Sequence, residues 1–210
     1  MTQVQPPTPQ SPSEAQRIAL NQSVSLKEYA LPTNYSPGAA LWKQLLWYYL
    51  GFPLVKSRLM PFSSLKIWLL KAFGATVGTG VRIKPGVRIK FPWKLTIGDH
   101  CWLGESAWID NVGPITIGDN VCLSQGVYLC TGNHDWSLPT FDLRLGEIHI
   151  QSGSWLGAKS VVGPSVTVGE GAILTLGSVA TRSLQPMTIY AGNPAQAVKE
   201  RVLTDPGVLI

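Results

Sequence analysis

From Val77 onward, an aliphatic residue recurs at every sixth position of the chain, with two short interruptions and one long one. The residue four places after each of these positions is usually small or β-branched. A six-residue unit with two inward positions and a neighbouring Gly is typical of a short strand followed by a tight bend, and three such units close one triangular coil. The aliphatic positions are Val77, Ile83, Ile89, Ile97, Leu103, Ile109, Ile117, Leu123, Leu129, Ile150, Leu156, Val162, Val168 and Leu174.

This repeat predicts a mainly β protein whose central domain, residues 74–185, is a parallel β-helix. Coils are expected to start near residues 77, 97, 117, 150 and 168, so that the aliphatic rows form continuous internal ladders. A long insertion at 134–149 interrupts the third coil and must project outward, where it is available for binding. The period does not fix the hand of the coils, and the general rule for parallel crossovers favours a right-handed one.

The segments on either side of the repeat have different compositions. Residues 1–40 are rich in Pro and Ser, with too little apolar surface to offset the entropy of ordering, so we predict a flexible N-terminus without chemistry. Residues 41–73 are aromatic, aliphatic and basic, which predicts two short helices separated around Pro61. Residues 186–210 form a short C-terminal tail.

Charge is unevenly distributed along the chain. The formal net charge is +5, but no acidic residue lies between Glu28 and Asp99, whereas ten Lys and Arg residues do. Such a segment attracts anions. Two interpretations of residues 41–73 remain open: the helices cover the exposed edge of the first coil, or their cations and aromatic rings contact a membrane surface.

Several classes of protein are excluded by composition and motif. The apolar stretches fall short of the ~20 residues that span a bilayer, and the N-terminus lacks the order of a secretory signal. Three cysteines without metal-site spacing favour a reducing cytoplasm. No helix-turn-helix, zinc-finger or RNA-binding signature indicates a nucleic-acid partner. We therefore expect a cytoplasmic protein, peripheral on the inner face of the membrane if 41–73 contacts lipid.

Two runs of the sequence carry a family resemblance. The hexapeptide pattern, with the stretch from Ile117 to Trp136 and the ending Ala191–Lys199, resembles the left-handed β-helix acyltransferases, in particular the colanic-acid-type exopolysaccharide O-acetyltransferases. The resemblance implies left-handed coils, a homotrimer with active sites in the clefts between neighbouring subunits, acetyl-CoA as co-substrate, and a saccharide or lipid-linked glycan as acceptor. No metal is implied.

His134 is the candidate general base, since it lies where the third coil breaks into its insertion. A neutral imidazole can take the proton of a sugar hydroxyl as that oxygen attacks the thioester. The resemblance adds the backbone amide of Ala158, after Trp155-Leu156-Gly157, as the oxyanion donor. His100 and His149 are expected to be solvated.

The resemblance also implies the residues that bind coenzyme A. Ala158 and Leu176 line the pantetheine groove, Thr181 and Arg182 follow at the end of the coil, and Lys199 lies near the phosphates. Plain packing remains an alternative for Leu176, and ordinary solvated charge remains one for Arg182, Lys199 and Arg201.

Acceptor binding is assigned to polar and aromatic groups near the expected base. Asp110 and Asn111 precede His134 by one coil, and Asp110 alternatively caps a turn. Trp136 in the insertion stacks on a sugar or anchors the loop. The full set of predicted acceptor residues is Glu105, Asp110, Asn111, Asn133 and Trp136.

Three other functions share this repeat. One is an N-acetyltransferase acting on an amino sugar or small amine, and another is a non-catalytic β-helix scaffold. A γ-class carbonic anhydrase needs several metal-ligand histidines converging between subunits, which three scattered histidines do not offer. The leading hypothesis is an acetyl-CoA-dependent sugar O-acetyltransferase for exopolysaccharide or another surface glycan.

Overall fold

A computed structural model describes Ser13, residues 24–33 and residues 35–204 of the chain. Its internal contacts divide the chain into two units, residues 1–33 with 134–143 and residues 34–133 with 144–210. The predicted flexible N-terminus, 1–40, falls largely outside the described residues. Within its described part, Leu26–Glu28 forms a 3₁₀ turn.

The second unit contains a parallel β-helix, because each coil contributes one short strand to each of three sheets. The first sheet is, in spatial order, β1 (Thr76–Val77), β4 (Leu95–Ile97), β7 (Ile115–Ile117), β12 (Ile148–Ile150) and β15 (Thr167–Val168). The second is β2 (Arg82–Ile83), β5 (Trp102–Leu103), β8 (Cys122–Leu123), β13 (Trp155–Leu156), β16 (Ile173–Leu174), β18 (Thr188–Gly192) and β19 (Ala195–Glu200). The third is β3 (Arg88–Ile89), β6 (Trp108–Asp110), β9 (Tyr128–Cys130), β14 (Val161–Val162) and β17 (Val179–Ala180).

The core of the β-helix is the set of aliphatic ladders that the six-residue period predicts. All fourteen repeat positions are buried, none of them more than 5% exposed. In the first sheet, for example, Ile97 stands opposite Ile117, which in turn stands opposite Ile150. Each ladder removes a continuous column of branched side chains from water, at about 25 cal/mol for each Å² of apolar surface buried. The predicted fold class is confirmed.

Glycines beside the aliphatic positions are required by the close stacking of coils. A Cβ placed on Gly104 would lie 2.5 Å from the backbone of Ser124 in the next coil, and one on Gly157 would lie 2.5 Å from the amide nitrogen of Leu176. Neither glycine has a positive φ angle, so the tight bend that the sequence predicts at these positions does not explain them. The coils approach each other too closely there for any side chain.

The helical segment is confirmed and packs on the first coil. Trp47, Val55 and Leu70 are buried, and the indole Nε1 of Trp47 donates to the carbonyl oxygen of Ile89 at 3.3 Å. The helices therefore cover the edge that β1, β2 and β3 would otherwise leave open. Their bounds are α1 (Leu41–Leu46), a π-helical turn (Trp47–Gly51), α2 (Phe52–Lys56) and α3 (Ser63–Ala72).

The C-terminal tail closes the other end of the β-helix. Strand β18 extends the second sheet beside β16, and β19 folds back on β18 as an antiparallel partner. The guanidinium of Arg201 donates to the carbonyl oxygens of Gly153 and Gly171, at 2.8 Å each, which fixes the end of the tail to two successive coils.

The insertion leaves and rejoins the β-helix without disturbing its register. Strands β10 (Gly132–His134) and β11 (Leu143–Leu145) form a two-stranded sheet. Where the chain returns, the amide of Gly146 donates to the carbonyl oxygen of Thr131 at 2.9 Å. Strand β12 then pairs with β7 in the parallel register that the other coils show.

No helix among the described residues is long and apolar enough to cross a membrane.

Lys66 on α3 is a charged group inside the packed interface between helix and coil. Its side chain is fully buried, and its Nζ donates to the carbonyl oxygen of Lys84 at 3.1 Å. Burial lowers the pKa of Lys66, because the ammonium form loses its hydration.

This burial predicts a pH-dependent difference in stability between the wild type and Lys66→Met. The pKa of Lys66 in the unfolded chain, about 10.4, is higher than in the folded chain, so unfolding takes up a proton at pH values between the two. We expect urea unfolding to show that the stability of the wild type, relative to the variant, rises with pH across this alkaline window. Lys71→Met, at an exposed position of the same helix, is the control. A difference that does not change with pH contradicts the prediction.

Candidate functional site

His134 is held in one orientation by neighbours in its own unit. Its ring stacks on Phe141, with centroids 4.4 Å apart and an angle of 4° between the planes. Its Nδ1 lies 2.8 Å from the carbonyl oxygen of Phe141. A carbonyl oxygen only accepts hydrogen bonds, so Nδ1 carries the proton and the lone pair of the neutral ring is on Nε2. The ring is therefore set up as a base at Nε2.

The carbonyl of Phe141 reaches His134 from an unusual backbone conformation. Phe141 has a φ of 52°, in the left-handed region that bulky residues rarely adopt. Asp135 stabilises the same loop, because its Oδ1 accepts hydrogen bonds from the amide and hydroxyl of Ser137 and its amide donates to the carbonyl oxygen of Asp142. Strain of this kind persists only where the surroundings hold it in place.

Tyr29 is a neighbour of His134 that the sequence does not reveal. Its ring lies 5.8 Å from the imidazole at an angle of 59°, and the amide of Ser25 donates to the carbonyl oxygen of Pro139 at 2.9 Å. Tyr29 and Ser25 belong to residues 1–40, the stretch predicted to carry no chemistry. More than a hundred positions separate them from the insertion, and no local pattern indicates the contact.

Ala158 stands at a corner of the β-helix, in a column formed by equivalent positions of successive coils. The column contains Glu105, Gln125, Ala158 and Leu176. The carbonyl oxygen of each of the first three accepts a hydrogen bond, at 2.8–2.9 Å, from the amide of the residue that follows the next member of the column. The Ala158 N–H has no acceptor within the described chain. The structure thus brings together three predicted site residues, Glu105, Ala158 and Leu176.

The side chain of Leu176 is 73% exposed, so packing inside its own unit does not account for it. Beside the column, Trp155 is also exposed, and its indole Nε1 donates to Ser124 Oγ at 2.9 Å. The part of this surface that Trp155, Ala158 and Leu176 form is small and apolar and runs along the axis, which suits a long, narrow and partly apolar ligand.

The predicted phosphate-binding residues lie at the end of the β-helix. Thr181 and Arg182 are exposed after β17, and Lys199 is exposed on β19. Arg201, two residues further on, is instead engaged with backbone carbonyls of the coils. Arg182 and Lys199 are the cations that remain for an anionic ligand at this end.

Asp110 is engaged by its neighbours within the β-helix. Its Oδ1 lies 3.1 Å from the ammonium of Lys90, and its Oδ2 accepts a hydrogen bond from the hydroxyl of Tyr128 at 3.1 Å. Burial raises the pKa of Tyr128, with Cys130 and Asp110 adding to the effect. The carboxylate therefore acts within a side-chain network, and the turn cap considered from sequence is not what the structure shows.

Asn111 has a structural role that corrects its assignment as an acceptor-binding residue. It is fully buried, its Oδ1 accepts from the amide of Phe91 at 3.0 Å, and its Nδ2 donates to the carbonyl oxygen of the same residue at 2.6 Å. The side-chain amide thus replaces a backbone partner where the chain bulges before β4. A ligand has no access to it.

The remaining predicted acceptor residues are exposed. Glu105 lies in the corner column, with its Oε1 4.0 Å from the guanidinium of Arg58. Asn133 is exposed on β10. Trp136 is 78% exposed in the loop, so it does not anchor the loop by burial. Within the described residues, no three His, Cys, Asp or Glu side chains cluster as a metal site requires.

Comparison with known sequences places these features in a family. The family described as "Hexapeptide repeat of succinyl-transferase" matches residues 94–130. The putative colanic acid biosynthesis acetyltransferase WcaF of Escherichia coli K12 is 36% identical over 185 residues, which cover 86% of this chain and 98% of WcaF. Galactoside O-acetyltransferase of the same organism is 26% identical over 140 residues, 63% of this chain and 66% of that protein.

Solved structures agree with the fold. The hexapeptide-repeat acetyltransferase VCA0836 of Vibrio cholerae, in complex with acetyl-CoA, has a TM-score of 0.71 and 21% identity over 84% of this chain and 98% of its own. Galactoside acetyltransferase in complex with coenzyme A has a TM-score of 0.66 and 26% identity over 76% of this chain and 80% of its own. Because it has the six-residue coils and is 36% identical to WcaF over 86% of its length, the chain belongs to the hexapeptide-repeat acetyltransferases of the WcaF type.

Proposed function

We propose that this protein transfers an acetyl group from acetyl-CoA to a sugar hydroxyl of an exopolysaccharide or other surface-glycan precursor. The observation that carries the proposal is the hydrogen bond between Nδ1 of His134 and the carbonyl oxygen of Phe141, because it leaves the basic lone pair on Nε2. Relatives support the donor and the acceptor class, since one is named for colanic acid biosynthesis and another for galactoside O-acetylation.

In the proposed reaction, Nε2 of His134 removes the proton of the acceptor hydroxyl while its oxygen attacks the carbonyl carbon of the thioester. The C–S bond then breaks, an ester forms, and the proton passes from the imidazolium to the departing thiolate. The N–H of Ala158 donates to the oxyanion that develops on the carbonyl oxygen. No acyl-enzyme is required.

We assign the binding of coenzyme A to the corner column and the end of the β-helix. The pantetheine arm lies along Ala158 and Leu176, and Thr181, Arg182 and Lys199 face the phosphates. The exposed apolar side chain of Leu176 supports the first assignment. The exposed side chains of Arg182 and Lys199 support the assignment of the phosphate-binding residues. Glu105, Asp110, Asn133 and Trp136 remain the proposed acceptor contacts.

The proposed assembly is a homotrimer with its active sites between neighbouring copies. The second sheet carries large aromatic side chains on its outer face, since Trp102 and Trp155 are both about half exposed. These two side chains form apolar surface of the kind that protein interfaces cover.

We further propose that residues 41–73 contact a membrane surface in addition to covering the first coil. Large apolar side chains of this segment are exposed even though its other face is packed. They are Trp42, Tyr48, Tyr49, Leu50, Leu59, Phe62 and Trp68. Aromatic rings and Lys side chains together are typical of the membrane interface. Binding to vesicles that contain anionic lipid, lost at high salt, is the expected result.

Incubation of the purified protein with acetyl-CoA and a panel of saccharides, read by mass spectrometry, tests the proposed reaction. We expect an acceptor to gain one acetyl group and the product to be cleaved by mild base, because esters hydrolyse and amides persist. A base-stable product indicates an amino-sugar acceptor and contradicts O-acetylation. Failure of acetyl-CoA to bind saturably contradicts catalysis altogether.

A further inference from the structure

Two neighbouring pockets open where the N-terminal helices meet the first coils, and neither is lined by His134, Ala158 or Leu176. One has a volume of about 510 Å³ and is basic. The other has a volume of about 400 Å³ and is mostly apolar. The basic pocket is lined by Lys56, Ser57, Arg58, Arg88 and Ser106. The apolar pocket is lined by Leu41, Leu45, Tyr48, Phe52, Phe91 and Trp108.

The two pockets share a wall made of cations stacked on aromatic rings. The guanidinium of Arg88, in the basic pocket, lies 4.2 Å from the ring centre of Trp108, in the apolar pocket. In the same way the ammonium of Lys56 lies 5.8 Å from the ring centre of Phe52. A molecule that occupies both pockets would therefore pass directly from hydrocarbon contact to cationic contact.

The balance of charge in the basic pocket favours an anion. Three cations line it, whereas the nearby carboxylate of Glu105 is 4.0 Å from Arg58 in a pair whose side chains are both more than half exposed. Such an exposed pair neutralises little, because water screens it. In the apolar pocket, by contrast, the charge of Lys90 is already matched by Asp110.

The groups in the basic pocket suit a phosphate. Guanidinium groups bind phosphate oxygens with two parallel hydrogen bonds, and serine hydroxyls can donate a further hydrogen bond to the same oxygens. The apolar pocket has the size of a small-molecule site and offers rings and aliphatic side chains. Neither pocket alone specifies a ligand, but the pair selects a molecule with an anionic head and a hydrocarbon body.

We propose that the two pockets bind a lipid phosphate, with the phosphate in the basic pocket and the first part of the hydrocarbon chain in the apolar pocket. Exposed aromatic side chains on α1 and the π-helical turn that follows it, Trp42 and Tyr48, lie beside the apolar wall and suit the remaining hydrocarbon chain. The binding itself requires no acetyl transfer, although Asp110, one of the proposed acceptor contacts, also lines the apolar pocket. The inference goes beyond surface contact with a membrane because a defined pocket recognises one molecule.

The test is a titration of the full chain, without acetyl-CoA, using monomeric ligands below their micelle concentration. The ligands are dihexanoyl phosphatidic acid, geranyl phosphate, inorganic phosphate and octyl glucoside. We expect at least one of the two lipid phosphates to bind at least tenfold more tightly than both inorganic phosphate and the neutral amphiphile. The tighter of the two identifies the source, a membrane phospholipid or an isoprenoid phosphate.

Variants locate the binding. Arg88→Gln and, separately, Lys56→Gln are expected to weaken binding of the tighter lipid phosphate about tenfold and to leave the affinity for octyl glucoside unchanged. Arg82→Gln is the matched control, since Arg82 also stacks on a tryptophan, 5.1 Å from the ring centre of Trp102, but lines neither pocket. Binding of both lipid phosphates no tighter than inorganic phosphate overturns the proposal, and so does equal weakening by Arg82→Gln.

Discussion

Acetyl transfer by the His134→Ala variant is expected to be slower than that of the wild type by a factor of about 10²–10⁴ in kcat, the usual contribution of a positioned general base. The variant removes the basic Nε2 lone pair and the ring that stacks on Phe141. It leaves the corner column untouched, so the KM for acetyl-CoA is expected to remain near that of the wild type. Steady-state kinetics with a saturating acceptor measure both constants.

His149→Ala is the matched control for this prediction. His149 is exposed on β12 and its Nε2 lies 3.5 Å from the carboxylate of Glu147, so its loss removes an imidazole without touching the proposed base. Both variants are expected to melt near the wild-type temperature. Wild-type turnover by a folded His134→Ala protein would show that another group accepts the proton.

Mixed trimers of two impaired variants are expected to recover activity. Leu176→Glu places a carboxylate on the proposed pantetheine groove, and the exposure of Leu176 means that the change costs little stability. We expect the KM for acetyl-CoA to rise at least about tenfold, equivalent to 1.4 kcal/mol. If His134 of one copy faces the groove of the next, each mixed trimer of the two variants contains one intact site out of three.

The recovery is measured by co-expressing the two variants with different affinity tags and purifying the mixed species at limiting acetyl-CoA. A mixture of separately purified variants, assayed without subunit exchange, provides the background. Activity of the mixed species equal to that background would mean that each copy supplies both halves of its own site.

The β-helix could be predicted from sequence because its physical cause is periodic. Each six-residue unit presents one aliphatic side chain to the interior, and the same constraint repeats in every coil, so a single pattern fixed all fourteen buried positions. Strands β18 and β19 lie outside that repeat. Their pairing depends on one antiparallel hairpin and on Arg201, features that occur once and leave no period in the sequence.

The candidate site was only partly predictable for a related reason. His134 could be identified because the repeat breaks beside it, but its contacts with Tyr29 and Phe141 depend on chain segments that no pattern relates. Asn111 shows the opposite error. The sequence does not distinguish an Asn whose side chain faces a ligand from one whose side chain replaces a backbone partner. Asn111 is of the second kind, because its amide bonds to the backbone of Phe91.

The unbroken register across the insertion separates the stability of the β-helix from the length of the loop. Strand β12 pairs with β7 as though the intervening residues were absent, and the amide of Gly146, where the chain returns, donates to the carbonyl oxygen of Thr131, where it leaves. Doubling the length of such a loop costs only about 0.6 kcal/mol in closure entropy. A change in the length of this insertion is therefore expected to alter the stability of the β-helix little.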